Sequence, residues 1–142
     1  MVASDPLAEL LGYQIRRLSV TVMADLSATL ETLGLRPPEA TVLLAIAGRK
    51  GMTQSEIGRV LGIKRANMAP LIGGLEARGL LSRSAVDGRS QALSLTADGE
   101  ALHHAAVAAT RAHEQRMFGS LSDAERARLA QQLRDLWQGR DG

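Results

Sequence analysis

"QSEIGRVLGIKRANMAPLIGGLE", Gln54 to Glu76, is the stretch whose reading decides the fold. It divides into two short helical runs joined by Leu61-Gly62-Ile63. Helices joined by so short a turn must cross steeply and share a small core, and four requirements follow. A small residue has to sit in the first helix where the second crosses it, and Gly58 is there. The turn has to tolerate a positive φ, which Gly62 does. Apolar residues have to flank the turn, as Leu61 and Ile63 do. The second helix has to bury one face, for which Met68, Leu71, Ile72 and Leu75 are correctly spaced. These offsets describe a helix-turn-helix. An ordinary helical corner closed by glycine shares some of them.

Two features of the second helix bear on function. Lys64 and Arg65 stand at its start, where cations oppose the helix dipole at a cost of about 0.3–1 kcal/mol each. Folding alone favours an acid or a capping residue there, whereas phosphates or guanine edges reverse the sign; the plain alternative is two side chains extended into solvent. Asn67 follows one turn in, and asparagine pairs well with adenine in the major groove. Pro70 is the other oddity. Inside a helix it costs about 3 kcal/mol; if Asn67 caps the helix instead, Pro70 falls in the first turn and costs little. With Gly73-Gly74 beyond it, the sequence predicts an irregular or bent start to this helix.

Outward from this core the chain is mostly helical. Thr53-Gln54-Ser55-Glu56 is a capping box that opens the first helix of the pair. Upstream, Asp5 and Pro6 suit a helix start, and Leu7, Leu11, Ile15, Leu18, Val22, Leu26 and Leu30 recur at helical spacing up to Gly34. Arg36-Pro37-Pro38-Glu39 breaks and restarts the chain, with Ala40, Leu43, Leu44 and Ala47 expected on the inner face of the helix that follows. Downstream, residues 80–86 and Gln91 to Leu95 flank an Asp87-Gly88 turn and read as a hairpin with Arg89 at its tip. Thr96 caps an alanine-rich helix reaching about Phe118. A second capping box, Ser122-Asp123-Ala124-Glu125, opens a last helix expected to bury Leu129, Leu133, Leu136 and Trp137.

The 142 residues suit a single domain with a core of its own. The absence of cysteine removes disulfides, thiolate metal sites and cysteine redox sensing, and fits a reducing compartment. No apolar run reaches the length of a membrane span, and residues 1–6 lack the basic and apolar regions of a leader, so a cytoplasmic protein with no membrane partner is expected. Net charge is only +2, but it is unevenly placed: between Arg49 and Gln91 eight basic residues face three acidic ones, while the remainder is net acidic. A basic middle between acidic ends suits a surface facing a polyanion, or a solvated face that happens to be basic.

The order of elements, closed by "LEARGLL" (Leu75 to Leu81) and "DGRSQALSLTADGE", resembles the MarR family of bacterial transcription regulators. Its wing pattern is met by Asp87, Arg89, Ser90, Leu95, Thr96 and Gly99. The resemblance covers nearly the whole chain. It implies a mostly α fold with a small two- or three-stranded β wing: a winged helix-turn-helix over residues 36–97, with dimerisation helices at 6–34 and 98–138. It also implies a homodimeric DNA-binding regulator, expected to be a repressor acting on a pseudo-palindromic duplex operator. The recognition-helix role falls on Lys64, Arg65, Asn67 and Met68, and the minor-groove role on Arg89. Asp87, with Ser90 beside it in the wing motif, orients the arginine or the backbone turn. Gln54 and Ser55, at a helix N-terminus, suit a phosphate, and Arg83 at the wing's base is a further phosphate candidate. Lys64 and Ala69 stand where the family often has Ser or Thr, and Pro70 where it often has Arg, so fewer mid-helix contacts are expected.

Other function classes find little support. There is no phosphate-binding glycine loop, no cysteine nucleophile and no Ser/His/Asp elbow, so an enzyme is not expected, nor a cofactor. Glu100 and His104 lie one turn apart, but such pairs more often face solvent than share a metal. Most relatives in the family answer to small molecules, often aromatic acids, and an aromatic acid or aryl-coenzyme A thioester is the effector expected by that analogy. Tyr13, Arg16 and Arg17 could seat it; a packed tyrosine beside two solvated arginines is the plainer reading. A winged-helix module that binds protein partners without specific DNA binding is the alternative from a different class.

Overall fold

A computed structural model describes residues 5–140; the reading of the first four residues as lacking a leader lies outside them. Six helices and one two-stranded sheet follow in the order α1 (Leu11–Glu31), α2 (Pro37–Gly48), α3 (Gln54–Leu61), α4 (Arg65–Ala77), β1 (Leu81–Ala85), β2 (Gln91–Leu95), α5 (Ala97–Phe118) and α6 (Asp123–Gln138).

The first helix begins later than its apolar spacing suggests. Asp5 does cap a turn, its Oδ1 accepting from the Leu7 amide at 2.9 Å. That turn does not propagate, because Leu10 adopts an extended conformation and Leu7, Leu10 and Leu11 have nothing to pack against in the single chain. The inner face of α2 is Ala40, Val42, Leu43 and Ile46; Leu44 and Ala47 are only partly buried, one step round the helix from where periodicity put them.

The core is built mainly from α2, α3, α4 and the hairpin: Val42, Leu43, Ile57, Met68, Ile72, Leu75 and Leu93 are almost wholly buried. Each such side chain contributes about 1.5–3 kcal/mol through removal from water. The strands pair antiparallel with Leu81 opposite Leu95 and Arg83 opposite Leu93. A third backbone segment joins their edge, since the Leu93 amide donates to the Met52 carbonyl at 2.9 Å and Thr53 bridges Ala92. Thr96 closes the hairpin onto the core: its hydroxyl donates to the Gly79 carbonyl at 2.6 Å and accepts from the Gly99 amide at 3.1 Å.

Helix α1 is fixed to α5 by a polar cluster that periodicity does not reveal. His113 is buried, its Nδ1 2.6 Å from Asp25 Oδ2, and Arg116 donates to Asp25 at 3.0 Å and to the Thr29 hydroxyl at 2.6 Å. The Arg116 guanidinium first, then His113, holds the Asp25 carboxyl below the usual aspartate range. Helix α6 is the least integrated element. The sequence expects Leu129, Leu133, Leu136 and Trp137 to be buried, yet no residue of α6 is, because within one chain no element lies over that stripe. Among the described residues no helix is long and apolar enough to cross a membrane.

Candidate nucleic-acid interface

Helices α3 and α4 meet at Gly62, whose φ of 66° is the left-handed turn conformation that glycine adopts without strain. Thr53 caps α3, accepting from the Glu56 amide, while the Glu56 carboxylate returns to the Thr53 amide at 3.2 Å. Helix α4 is treated differently. Lys64 is its N-cap residue with no side-chain cap bond, Arg65 its first residue, and no acid lies in its first turn. The amides of Arg65 and Ala66 therefore face outward beside two cations. This end is unfavourable for folding alone and suited to an anion.

Asn67 does not cap the helix. Its amide donates to the Lys64 carbonyl at 2.9 Å, so it sits inside the first turn and is exposed. Pro70 accordingly lies inside the helix, where it removes the amide that would reach the Ala66 carbonyl. The helix runs on through Pro70, because Met68, Leu71, Ile72 and Leu75 anchor the opposite face. Met68, one of the expected DNA contacts, is 1% exposed and packed where α4 crosses α3, so its main contacts are with the core.

The wing tip is held by Asp87. Its Oδ1 accepts from the amides of Arg89 and Ser90, both at 2.8 Å, and these two bonds hold the carboxyl below the usual aspartate range. Asp87 thus orients the backbone turn and leaves the Arg89 guanidinium free. Arg83 is not free: its Nε donates to Glu76 at 2.9 Å and its Nη2 to the Gln54 side-chain carbonyl at 3.3 Å.

An open groove of about 890 Å³ gathers most of these residues. The N-terminus of α3 contributes Gln54 and Ser55, the start of α4 Lys64 and Arg65, and the wing Arg83, Arg89 and Ser90, with Met68 at its floor; Asn67 and Asp87 lie outside its lining. The groove adds Arg59, which sequence reasoning counted only as charge. Its position five residues before Lys64, across a tight turn, was the available signal. Five cationic side chains and no carboxylate line the groove. Of these, only Arg83 has an acidic partner among the described residues.

The other expected sites come together less well. Tyr13, Arg16 and Arg17 share one end of α1: Arg17 donates to the Tyr13 hydroxyl at 3.1 Å, and the Arg16 guanidinium lies 5.7 Å from the ring centre. None of the three lines the groove. Glu100 and His104 gain no further ligand, and among the described residues no group of three or more metal-binding side chains converges.

A family model described as the MarR family matches residues 33–90. The HTH-type transcriptional repressor Rv2887 of Mycobacterium tuberculosis is 30% identical over 128 residues, covering 89% of this chain and 92% of that protein. The repressor CouR, solved bound to a 23-mer DNA duplex, superposes with a TM-score of 0.86 at 33% identity, covering 96% and 98% of the two chains. Rv2887 in complex with salicylic acid superposes with a TM-score of 0.70 at 29% identity, covering 96% and 99%.

Proposed function

The chain belongs to the MarR family of transcription regulators, and on that premise we propose that it works as a homodimeric repressor released by a small aromatic acid. The carrying observation is the groove with five cations and no carboxylate, set against the uncapped start of α4. Phosphate is the anion that matches it, and a duplex presents phosphates on both sides of the major groove that α4 would enter. Lys64, Arg65 and Asn67 are the base-edge and phosphate contacts of that helix. Gln54, Ser55 and Arg59 take backbone phosphates, and Arg89 reaches the adjacent minor groove.

Dimerisation rests on apolar exposure. Leu11, Ile15 and Leu18 of α1 and Leu129, Leu133, Leu136 and Trp137 of α6 are all more than a third exposed in the single chain. Apolar rows at helical spacing left exposed on two helices are the kind of surface that a second copy covers. Two copies would present two winged units to half-sites about one helical turn apart. The effector class follows from the relative solved with salicylic acid. On this chain Tyr13 offers a ring, and Arg16 a cation with no acidic partner among the described residues.

The test is a salt titration of binding to duplex DNA from around the protein's own gene. Log affinity should fall linearly with log salt concentration, with a slope of about −0.9 per phosphate engaged. Salicylate, as the probe acid, should weaken that binding. Affinity indifferent to salt would sink the reading.

A further inference from the structure

We propose that Arg83 is a positioning residue that sets the wing against the recognition helix, and that it makes no phosphate contact of its own. The inference deepens the DNA-binding reading and rests on it. Three observations carry it. The first is register. Arg83 stands directly opposite Leu93 in the hairpin, and Leu93 is 1% exposed. Paired residues of an antiparallel ladder project to the same face, so Arg83 rises from the inward face of β1, the face of Leu81, and not from the solvent face of Ser82 and Ser84. The second is bonding. One guanidinium joins Glu76 in the last turns of α4, at 2.9 Å, to Gln54 at the first position of α3, at 3.3 Å. A single side chain on the wing thus touches both helices of the helix-turn-helix. The third is contrast. The other cations lining the groove, Arg59, Lys64, Arg65 and Arg89, have no acidic partner among the described residues, while Arg83 does.

The consequence is mechanical. The strands of the wing are short, and their far end, residues 86–90, is closed only by its own bonds, those to the Asp87 carboxylate and the Val86 amide donating to the Ser90 carbonyl at 3.1 Å. The position of Arg89 relative to Lys64 and Arg65 therefore depends on how the hairpin is fixed to α3 and α4: β2 by the Leu93–Met52 backbone bond and the Thr53–Ala92 bridge, and β1 by the Arg83 fork, the side-chain part of that fixing. Arg suits the role because its planar fork holds two acceptors in a set direction, which a lysine point charge does not.

The two roles predict opposite signs for one substitution. If Arg83 held a phosphate, Glu76 would compete for it, and Glu76→Gln would tighten DNA binding. As a positioning pair, Glu76→Gln should weaken binding about three- to fivefold, the range expected for a partly exposed ion pair. Arg83→Gln should weaken it similarly, and the double variant no further. The slope of log affinity against log salt should stay that of the wild type in all three, whereas loss of a phosphate contact lowers it by about 0.9. The exchanged pair, R83E with E76R, should recover most of the affinity, since it restores the ion pair between the two positions and the Gln54 amide, turned over, can donate to the new carboxylate where its oxygen accepted from Arg83. Arg89→Gln should still lower the salt slope by about 0.9 in the Arg83→Gln background but cost less affinity there than in the wild type, a coupling that a merely structural loss of stability would not produce. Tighter binding by Glu76→Gln, a reduced salt slope for Arg83→Gln, or failure of the exchanged pair in a folded protein would overturn the proposal while leaving the DNA-binding reading intact. A wild-type chain that bound no duplex would overturn both.

Discussion

Gly58 lies against Met68 at the crossing of α3 and α4: a Cβ on Gly58 would stand 3.1 Å from the Met68 Cγ and 3.2 Å from the Ile63 carbonyl oxygen. The methionine side chain could shift by a few tenths of an ångström, but the carbonyl belongs to the turn itself. Gly58→Val should therefore push the two helices apart, costing about 1–3 kcal/mol by overpacking. Met68→Ala should cost about 2–5 kcal/mol by the opposite route, an empty site at the same crossing. Denaturant unfolding measures both. A Met68→Ala protein of wild-type stability with weakened DNA binding would restore Met68 to the list of base contacts.

The two bonds from Asp87 to the wing amides separate charge from geometry. An asparagine keeps the accepting oxygen, so Asp87→Asn should hold DNA affinity within about twofold, while Asp87→Ala frees the tip and should cost about three- to tenfold. Equal losses in both variants, measured by fluorescence anisotropy on the same duplex, would show that the negative charge matters and the turn does not.

Arg89 and Asn67 should fail in different ways. Arg89→Gln is expected to weaken binding across sequences and to reduce the salt slope by about 0.9 for the lost phosphate-region contact. Asn67→Ala is expected to leave the slope unchanged and to flatten preference at one base pair, worth about 1–3 kcal/mol of discrimination. Selection from a randomised duplex pool reads both, and indistinguishable profiles would contradict the assignment.

Much of this interface was legible because its constraints are local. Gly58, Gly62 and the Thr53/Glu56 box are fixed by backbone geometry within a few residues, and each stands where the sequence placed it. The bonds of Arg83 to Glu76 and Gln54 were not legible because those partners are 7 and 29 residues away, and spacing does not report a bond of that reach. Met68 was given two duties, and the structure shows the packing one. The capping role considered for Asn67 failed because the chain after Gly62 enters the helix at Lys64, three residues earlier. The Asp25–His113 pair escaped notice for a different reason: polar residues on two long helices carry no periodic signal of mutual contact.

That pair predicts a dependence on pH. The Asp25 carboxyl is held below its ordinary range by Arg116 and His113, so it binds a proton less readily folded than unfolded. Its contribution to stability is present above the ordinary aspartate range and is lost as pH falls through the range beneath it, from about pH 4 downward. Asp25→Asn should be less stable than the wild type at neutral pH, and the two should converge as the solution is acidified below about pH 4. Urea midpoints measured across this range decide it, and a gap that stays constant to pH 3 would remove Asp25 as its source.

The stripe on α6 makes a prediction about assembly. Leu129, Leu133 and Leu136 repeat at helical spacing with Trp137 beside them, and the single chain leaves all four more than a third exposed. A substitution there removes little from the fold of one chain, because α6 buries nothing within it. If two chains bury the stripe together, Leu133→Glu places a charge in an apolar interface and should shift the dimer towards monomer without changing the helix content of the winged part. Sedimentation at micromolar concentration should then give the monomer mass, and affinity for a two-half-site duplex should fall to that for a single half-site, because the second winged unit is no longer delivered with the first. A Leu133→Glu protein that sediments as a dimer and binds both half-sites as before would assign the apolar face of α6 to another partner.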